Sequence, residues 1–324
     1  MIRIKIPDED QRHVLLAYLK TELGQALIRR GRSGSVIDHL TVADVEAVPV
    51  PVFADDVATR ISALVGSAIE DRFEGRSSLN RVMADLGTDL PIPNTVLSGH
   101  VAWTMRARDF NGRFDAGFHH PFVRESRKQI SSKPSHRLGD LVEAVLPLRY
   151  KRYYVEREHG RPILSGRQLL QPEPVNLRFV SDRSFRNPED YEVSKGTVVF
   201  GAVGRSEGRQ AWPALVTDDR HGWLASNDVM RLVPRPNVPP GLVWLAVAVP
   251  QVQAQIKALS FGSVVDHMNP WDVEDVIVPD IGAELVAEVE DAWEKFARST
   301  RAIQDATALT ESALESMAAS TGLS

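Results

Sequence analysis

A direct repeat constrains this chain more than any other feature of its sequence. Residues 34–40 read GSVIDHL, and residues 262–268 read GSVVDHM, at an offset of 228 positions. The match extends without a gap from Gln25 and Gln253 to Pro51 and Pro279. Chance is a poor explanation for a match of this length. We therefore expect two copies of one local structure, separated by a segment that occurs once.

Each copy predicts the same order of elements: a helix, a Gly-Ser turn, a short helix, a β-type apolar run and a long helix. Thr41 and Asn269 occupy the N-cap positions of the two short helices, where a side-chain oxygen can accept a backbone hydrogen bond. In the first copy the helix, short helix, apolar run and long helix are 14–30, 41–46, 47–53 and 55–86. In the second copy they are 242–259, 269–274, 276–281 and 283–317.

The last long helix has a seven-residue pattern that indicates a helix partner. Val289, Phe296 and Ile303 are seven residues apart, and small residues follow three positions after each of them. Such a stripe is typical of paired helices, although a helix that lies on its own domain is the common alternative. The first long helix is the natural partner, because it carries matching positions. These are Ile61, Ala68 and Val82, and Gly75 occupies the intervening position, where it is expected to interrupt the helix.

The middle of the chain, residues 136–240, occurs once and reads as β-rich. Short apolar runs alternate with glycine-containing turns, as in a mixed sheet structure. The runs are 141–146, 161–164, 175–180, 197–201, 212–216 and 229–233. The predicted class is α+β, a β-rich domain plus two long helices packed as an antiparallel coiled-coil-like pair. The predicted segments are the end of a first domain (1–53), a long helix (54–87), a linker (88–128), a complete domain (129–281) and a second long helix (282–324).

The distribution of charge favours a nucleic-acid partner for the middle segment. Residues 101–240 hold 23 Lys and Arg against 16 Asp and Glu, whereas residues 281–324 hold 3 against 8. Basic, polar clusters within the middle can contact phosphates and base edges. A solvated strand face is the alternative for the first cluster. The predicted DNA-binding residues are Arg149, Lys151, Arg152 and Tyr153 in the first cluster, Arg167 and Gln168 in the second, and Arg205, Arg209 and Gln210 in the third.

Signals for chemistry are poor. The chain has no cysteine, so it has no disulfides, thiolate ligands or cysteine nucleophiles. It contains no H-E-x-x-H motif, and the glycines at 201–208 do not have the spacing of a nucleotide-binding loop. His119 and His120 are expected in a surface turn. We predict no enzyme activity, cofactor or metal, and with no apolar run of membrane length, a cytoplasmic location.

In order along the chain, these segments resemble a specificity (S) subunit of type I restriction-modification systems. The two repeat copies resemble the segment that ends each target-recognition domain in that family. Four stretches resemble further family motifs: RFDAGF at 113–118, LGDLV at 138–142, SKGTV at 194–198 and SNDVMRL at 226–232. The resemblance implies a non-catalytic subunit whose domain at 129–281 reads one half of a bipartite site in double-stranded DNA. The paired helices would set the spacing between half-sites.

The same resemblance implies partners, and it has departures. Methyltransferase (modification) subunits would dock on this chain, with a restriction or translocase subunit and a second S-like chain as further candidates. The usual Pro-Pro helix start is replaced by PVFAD at 51–55. Only the end of a first recognition domain is expected, at 1–53. Two alternatives therefore stay open: a truncated S-like interaction protein that binds or inhibits partner subunits without productive DNA recognition, and an independent enzyme, which is the weakest.

Overall fold

The computed structural model describes residues 2–30, 40–93, 102–110, 112–203, 210–261 and 267–320. The chain divides into two compact units, Met1–Gly75 with Lys295–Ser324, and Arg76–Glu294. Two long helices, α4 (Asp55–Asp89) and α10 (Ala283–Ser320), contribute residues to both units. In the described part of the chain, no helix is long and apolar enough to cross a membrane.

The first unit is helical. Its N-terminal part contains α1 (Glu9–Lys20), α2 (Glu22–Arg30) and α3 (Val42–Glu46). Asp8 begins α1 by accepting a hydrogen bond from the backbone of Gln11. Thr41 begins α3 in a capping box with Asp44, which confirms the predicted N-cap.

The core of the first unit lies between the two long helices. Ile61 and Ala68 of α4 are fully buried with Ile303 and Ala306 of α10. Two ion pairs flank this core: Arg298 to Asp71 at 2.8 Å and Lys295 to Glu74 at 3.0 Å. Residue numbers in α4 rise as those of their partners in α10 fall, so the helices are antiparallel. The predicted antiparallel pair is confirmed.

In its described residues, the second unit combines three sheets with five short α-helices. The strands are β1 (Ser135–Arg137), β2 (Val142–Val145), β3 (Tyr154–Val155), β4 (Arg161–Leu164), β5 (Arg178–Val180), β6 (Glu192–Val193), β7 (Val198–Gly201), β8 (Ala214–Leu215), β9 (Trp223–Ala225), β10 (Val229–Pro234) and β11 (Ile277–Pro279). The helices are α5 (Pro121–Ser131), α6 (Leu138–Leu141), α7 (Pro240–Ala248), α8 (Pro250–Ala258) and α9 (Pro270–Glu274). The predicted α+β class is confirmed.

The sheets have the strand orders β2-β10-β7-β8, β3-β5-β4-β9-β6 and β1-β11. All neighbours are antiparallel except β4 and β9, which are parallel. The largest apolar core joins the four-stranded sheet to helices α7 and α8. Val82 of α4 and Val289 of α10 are fully buried in that core, and Arg81 pairs with Glu288 beside them. Phe296, the remaining residue of the predicted pairing stripe, is half-buried.

The repeat is visible in the helix boundaries. Adding 228 to the bounds of α2 and α3 gives the bounds of α8 and α9, and the first residue of α4 becomes the first residue of α10. One hydrogen bond is also duplicated. The Gln25 side chain donates to the Leu19 carbonyl at 2.5 Å, and Gln253 donates to the Val247 carbonyl at 2.7 Å. The two copies thus share local structure as well as sequence.

Three sequence-based expectations need correction. Helix α4 continues through Gly75, since burial of its apolar stripe outweighs the roughly 1 kcal/mol that a helical glycine costs. Residues 47–53 form no strand, whereas their repeat equivalent pairs with β1 as β11. His119 is buried rather than in a surface turn, and its ring lies 2.6 Å from the Arg113 carbonyl oxygen.

Candidate nucleic-acid interface

The first two basic clusters predicted from the sequence, and the strand end that leads into the third, lie at one turn of the second unit, residues 226–228. From the first cluster, the Arg152 guanidinium donates to the Asn227 side chain at 2.6 Å and lies 3.8 Å from the Asp228 carboxylate. The third cluster begins beside this turn, because the Ala202 amide donates to the Asp228 carbonyl at 2.9 Å. A side-chain contact from Arg152 and a backbone hydrogen bond from Ala202 therefore connect these segments to the turn.

The second cluster reaches the same place through the end of β4. The Ser226 amide donates to the Leu164 carbonyl at 2.8 Å, which sets residues 165–168 beside the turn. A Cβ atom added at Gly201 would lie only 4.0 Å from the Cα atom of Gly166. Gly166 of the second cluster and Gly201, which ends the strand before the third, are therefore neighbours.

Three aromatic rings pack together beside the first cluster. The rings of Tyr150, Phe185 and Tyr191 lie with their centroids 4.5–4.8 Å apart. Arg152 covers the Tyr150 ring at 5.4 Å, and the Tyr191 hydroxyl donates to the Leu148 carbonyl at 3.1 Å. Burial raises the pKa of Tyr150, although the charge of Arg152 opposes this shift. The group keeps residues 148–152 close to the sheet.

A buried arginine joins this aromatic group to the turn. Arg231 of β10 donates hydrogen bonds to the carbonyl oxygens of Val229, Tyr191 and Ala225 at 2.8–3.1 Å. Burial lowers its pKa to about 10, against the opposing effect of Tyr150 and Tyr191. The side chain is therefore still protonated at neutral pH. It fixes the backbone on both sides of residues 226–228 without reaching solvent.

Exposed cations lie over tyrosine rings along the edge strand β3 and its neighbour β5. Arg178 covers the Tyr154 ring at 4.8 Å, and Lys151 covers the Tyr153 ring at 4.9 Å. Both tyrosines are 46% exposed. Burial alone would raise the pKa of Tyr154, but hydrogen bonds and charge from Arg178 and Arg152 outweigh it and lower that pKa. Stacked cations of this kind are available to phosphates and to base edges.

The predicted residues differ in how accessible they are. Arg149, Lys151, Tyr153 and Arg167 are exposed, and Arg152 is half-buried. The Gln168 side chain is taken up by its own loop, where it accepts from the Ser165 amide at 3.1 Å and donates to the Val175 carbonyl at 3.3 Å. Arg205 and Arg209 lie outside the described residues.

Gln210 is not placed to contact DNA. Its side chain is buried, donates to the Ala202 carbonyl at 3.1 Å and accepts from the Ser260 hydroxyl at 3.4 Å. An amide with both ends paired inside the protein cannot reach a base. This residue instead closes the base of its loop, and we leave it out of the proposed interface.

Sequence reasoning missed Arg178 and Tyr154. Arg178 sits between two apolar residues in a run that reads as an ordinary strand, and its tyrosine partner is distant in sequence. Only the pairing of β3 with β5 brings them together. The basic and aromatic run at 149–154 was the one available signal, and it ended on Tyr154 itself.

The described residues contain no group of three or more His, Asp or Glu side chains that could hold a metal ion. The surface is therefore best described by its cations and rings. Its chemistry, exposed guanidinium and ammonium groups over tyrosine rings, suits anionic and planar ligands.

The elements define an α+β protein in which a domain with mixed sheets is combined with a pair of antiparallel long helices. Among solved structures, the chain is similar to the HsdS subunit from Thermoanaerobacter tengcongensis, at 13% identity and a TM-score of 0.37 over 93% of this chain and 69% of that one. It is also similar to the type I restriction-modification system S subunit from M. genitalium, at 12% identity and a TM-score of 0.38 over 95% and 72%.

A third similar structure belongs to a type I R-M system described for its complex assembly and conformational transition. Its identity is 14% and its TM-score 0.36, over 93% of this chain and 70% of that one. No protein-family model matches the sequence, and no curated protein matches it.

Proposed function

We propose that this chain is a DNA-recognition subunit of a type I restriction-modification system, and that it performs no chemistry itself. The observation that carries the proposal is that the first two basic clusters, and the strand end that leads into the third, lie around residues 226–228. The Arg152 side chain joins the first cluster to this turn, and backbone hydrogen bonds hold Leu164 and Ala202 beside it. A surface assembled in this way offers several cations to one ligand.

The surface has the two properties that DNA reading needs. Exposed charges such as Arg149 and Arg178 can neutralise phosphates, which supplies affinity independent of sequence. The glycine-containing loops that carry Arg167 and Arg205 suit entry into a groove, where arginine can pair with guanine. We propose that the described loop residues and Arg205 and Arg209 act together, with Arg152 anchoring phosphate and Arg205 reading a base.

The antiparallel long helices support a scaffold role alongside DNA binding. We propose that they dock methyltransferase subunits, which would supply the methylation. A restriction or translocase subunit and a second S-like chain are further candidate partners. The DNA-reading segment in this proposal is 129–281.

Selection from a pool of random DNA duplexes tests the proposal. The purified full chain, alone and with modification subunits, is incubated with the pool at two salt concentrations, and bound duplexes are sequenced. We expect enrichment of a short motif, and weaker binding at higher salt. Arg149→Ala should reduce binding, whereas Arg60→Ala, an exposed arginine on α4, should not.

Two results would count against DNA reading. If no motif is enriched and both variants bind as the parent does, the three clusters are not a DNA interface. If modification subunits still co-purify with the chain in that case, it is an interaction protein that occupies those subunits without productive DNA recognition.

A further inference from the structure

The two repeat copies differ in how much of the same face is covered. Val50 of the first copy is 50% exposed, whereas its equivalent Val278 is completely buried. Leu23 is 48% exposed, whereas its equivalent Gln251 is completely buried. In the first unit, Val50 lines a groove of about 750 Å³ together with Glu46, Val48 and residues 2–5. Equal local structure with unequal burial indicates a surface that can receive a covering element.

The second copy shows which element covers the face. Strand β1 pairs antiparallel with β11, with His136 opposite Val278. The short helix α6 follows immediately, and the Leu138 amide donates to the Val276 carbonyl at 2.8 Å. Leu138 is completely buried there. We call residues 134–145 the covering segment.

A glutamate of the repeat fastens the covering segment. The Glu274 carboxylate accepts a hydrogen bond from the Ala144 amide at 2.9 Å. Gly139 lies against the same glutamate, and a Cβ atom there would come within 2.9 Å of the Glu274 Cβ atom. The covering segment therefore needs a glycine at this point, followed by a free backbone amide.

The first copy keeps the groups that receive such a segment. Glu46 stands at the position of Glu274, and Val48 and Val50 stand at the positions of Val276 and Val278. Glu46 is exposed, and no described strand pairs with residues 47–53. The residues that receive the covering segment are thus present in both copies, but only the second copy is covered.

We propose that the first-copy face binds a strand and short helix of a different polypeptide, one that resembles residues 134–145. The partner strand would add antiparallel to residues 49–51, its following glycine would lie against Glu46, and its leucines would fill the groove. A second copy of this chain is a poorer occupant. The described residues of each chain hold one covering segment for two faces, so copies alone leave faces open. This inference rests on the repeat and not on DNA binding.

Disulfide trapping tests the register of the proposed strand, because the chain has no cysteine of its own. The probe is a synthetic peptide of residues 133–146 that carries His136→Cys, and the protein is the full chain with Val50→Cys. The matched control is Val52→Cys. Val52 is 88% exposed, and its repeat equivalent Asp280 is also exposed.

We expect the Val50→Cys chain to cross-link about tenfold faster than the Val52→Cys chain, because only directly opposite residues of paired strands bring two Cα atoms within disulfide distance. Equal rates, or a faster rate at the more exposed position 52, would overturn the proposal. A DNA-binding defect does not enter this readout.

Light scattering of the unmodified chain decides between occupants. We expect a monomer whose mass does not change when Val50→Asp is introduced. A dimer that Val50→Asp dissociates would mean that a second copy covers the face, and the proposal of a different polypeptide would be wrong.

Discussion

Replacing Arg178 with alanine separates a contribution to DNA binding from a contribution to folding. The Arg178 guanidinium lies over the Tyr154 ring at 4.8 Å on an exposed part of the sheet. An exposed cation–π contact stabilises by about 0.5–1 kcal/mol, so the fold should tolerate its loss. Arg161 on the adjacent strand β4 provides a matched control. Its guanidinium pairs with Asp182 at 2.9 Å and with Glu192, so its charge is already neutralised.

The expected effect on DNA binding can be worked from counterion release. Each phosphate contact contributes about −0.9 to the slope of log affinity against log salt concentration. If Arg178 makes one such contact, its removal lowers the magnitude of the slope by about 0.9. Between 50 and 200 mM salt, the ratio of parent to variant affinity should therefore fall by about 3.5-fold. Arg161→Ala should leave the slope unchanged.

The same variant also changes a tyrosine titration. Hydrogen bonds and charge from Arg178 and Arg152 hold the pKa of Tyr154 below its ordinary value, although burial alone would raise it. Because the folded-state pKa is lowered, the contribution to stability is present above the unfolded value of about 10 and is lost as the pH falls through the folded-state pKa. Arg178→Ala should raise the Tyr154 pKa.

Fluorescence anisotropy with a labelled duplex at several salt concentrations measures the slope, and ultraviolet absorbance of tyrosinate measures the titration. A variant whose tyrosine titration shifts while its salt slope equals that of the parent would show that Arg178 covers Tyr154 without touching phosphate. Equal slopes for Arg178→Ala and Arg161→Ala would refute this part of the interface.

Two further predictions concern stability. Ile61→Ala and Ile303→Ala should each destabilise the chain by about 2–5 kcal/mol, because each leaves a cavity in the core. The double variant should deviate from additivity by about 0.5–3 kcal/mol, since both side chains fill one core. Additive losses of unfolding free energy in urea would contradict the helix pairing. Glu274→Ala should cost about 1–3 kcal/mol by leaving the Ala144 amide unpaired, whereas Glu46→Ala at the exposed equivalent position should change the unfolding free energy by less than about 0.5 kcal/mol. A similar loss for both would contradict unequal coverage of the two copies.

Helices were predictable from this sequence because their signals repeat along the chain. The stripe at Val289 and Ile303 marked the buried face of α10, and the duplicated segments fixed the helix order twice. Strand β4 begins and ends at the predicted residues, since its apolar run is bounded by turns. The two-residue strands β3 and β6 give no periodic signal, and they were missed.

The remaining errors have a shared cause, which is dependence on distant partners. Residues 47–53 have the composition of a strand, but a strand also needs a neighbour, and only the second copy has one. Composition could not show whether a glutamine amide faces solvent or a carbonyl, so the sequence alone did not reveal that the Gln168 and Gln210 amides pair within the protein. Arg178 was missed for the converse reason, because its significance comes from a ring on another strand.

The loop that carries Arg167 offers a way to separate positioning from contact. Arg220 is buried and donates to the carbonyl oxygens of Leu169 at 3.0 Å and Pro172 at 3.1 Å, and also to that of Gln171. Burial lowers the Arg220 pKa, and Asp219 at 3.7 Å opposes the shift. Arg220 thus holds the loop through its backbone and never reaches its outer surface.

Arg220→Ala should cost about 3–5 kcal/mol, because it leaves the buried Asp219 carboxylate without its cation. Hydrogen exchange across residues 165–172 should rise, since three carbonyl contacts are lost together. Arg167→Ala should leave both the urea midpoint and the exchange unchanged, yet weaken DNA binding. Arg220→Lys keeps the charge but cannot reach three carbonyls, so it should recover part of the stability while exchange stays high. If exchange in Arg220→Ala equals that of the parent, the loop is held by Gln168 instead, and Arg220 contributes only to the core.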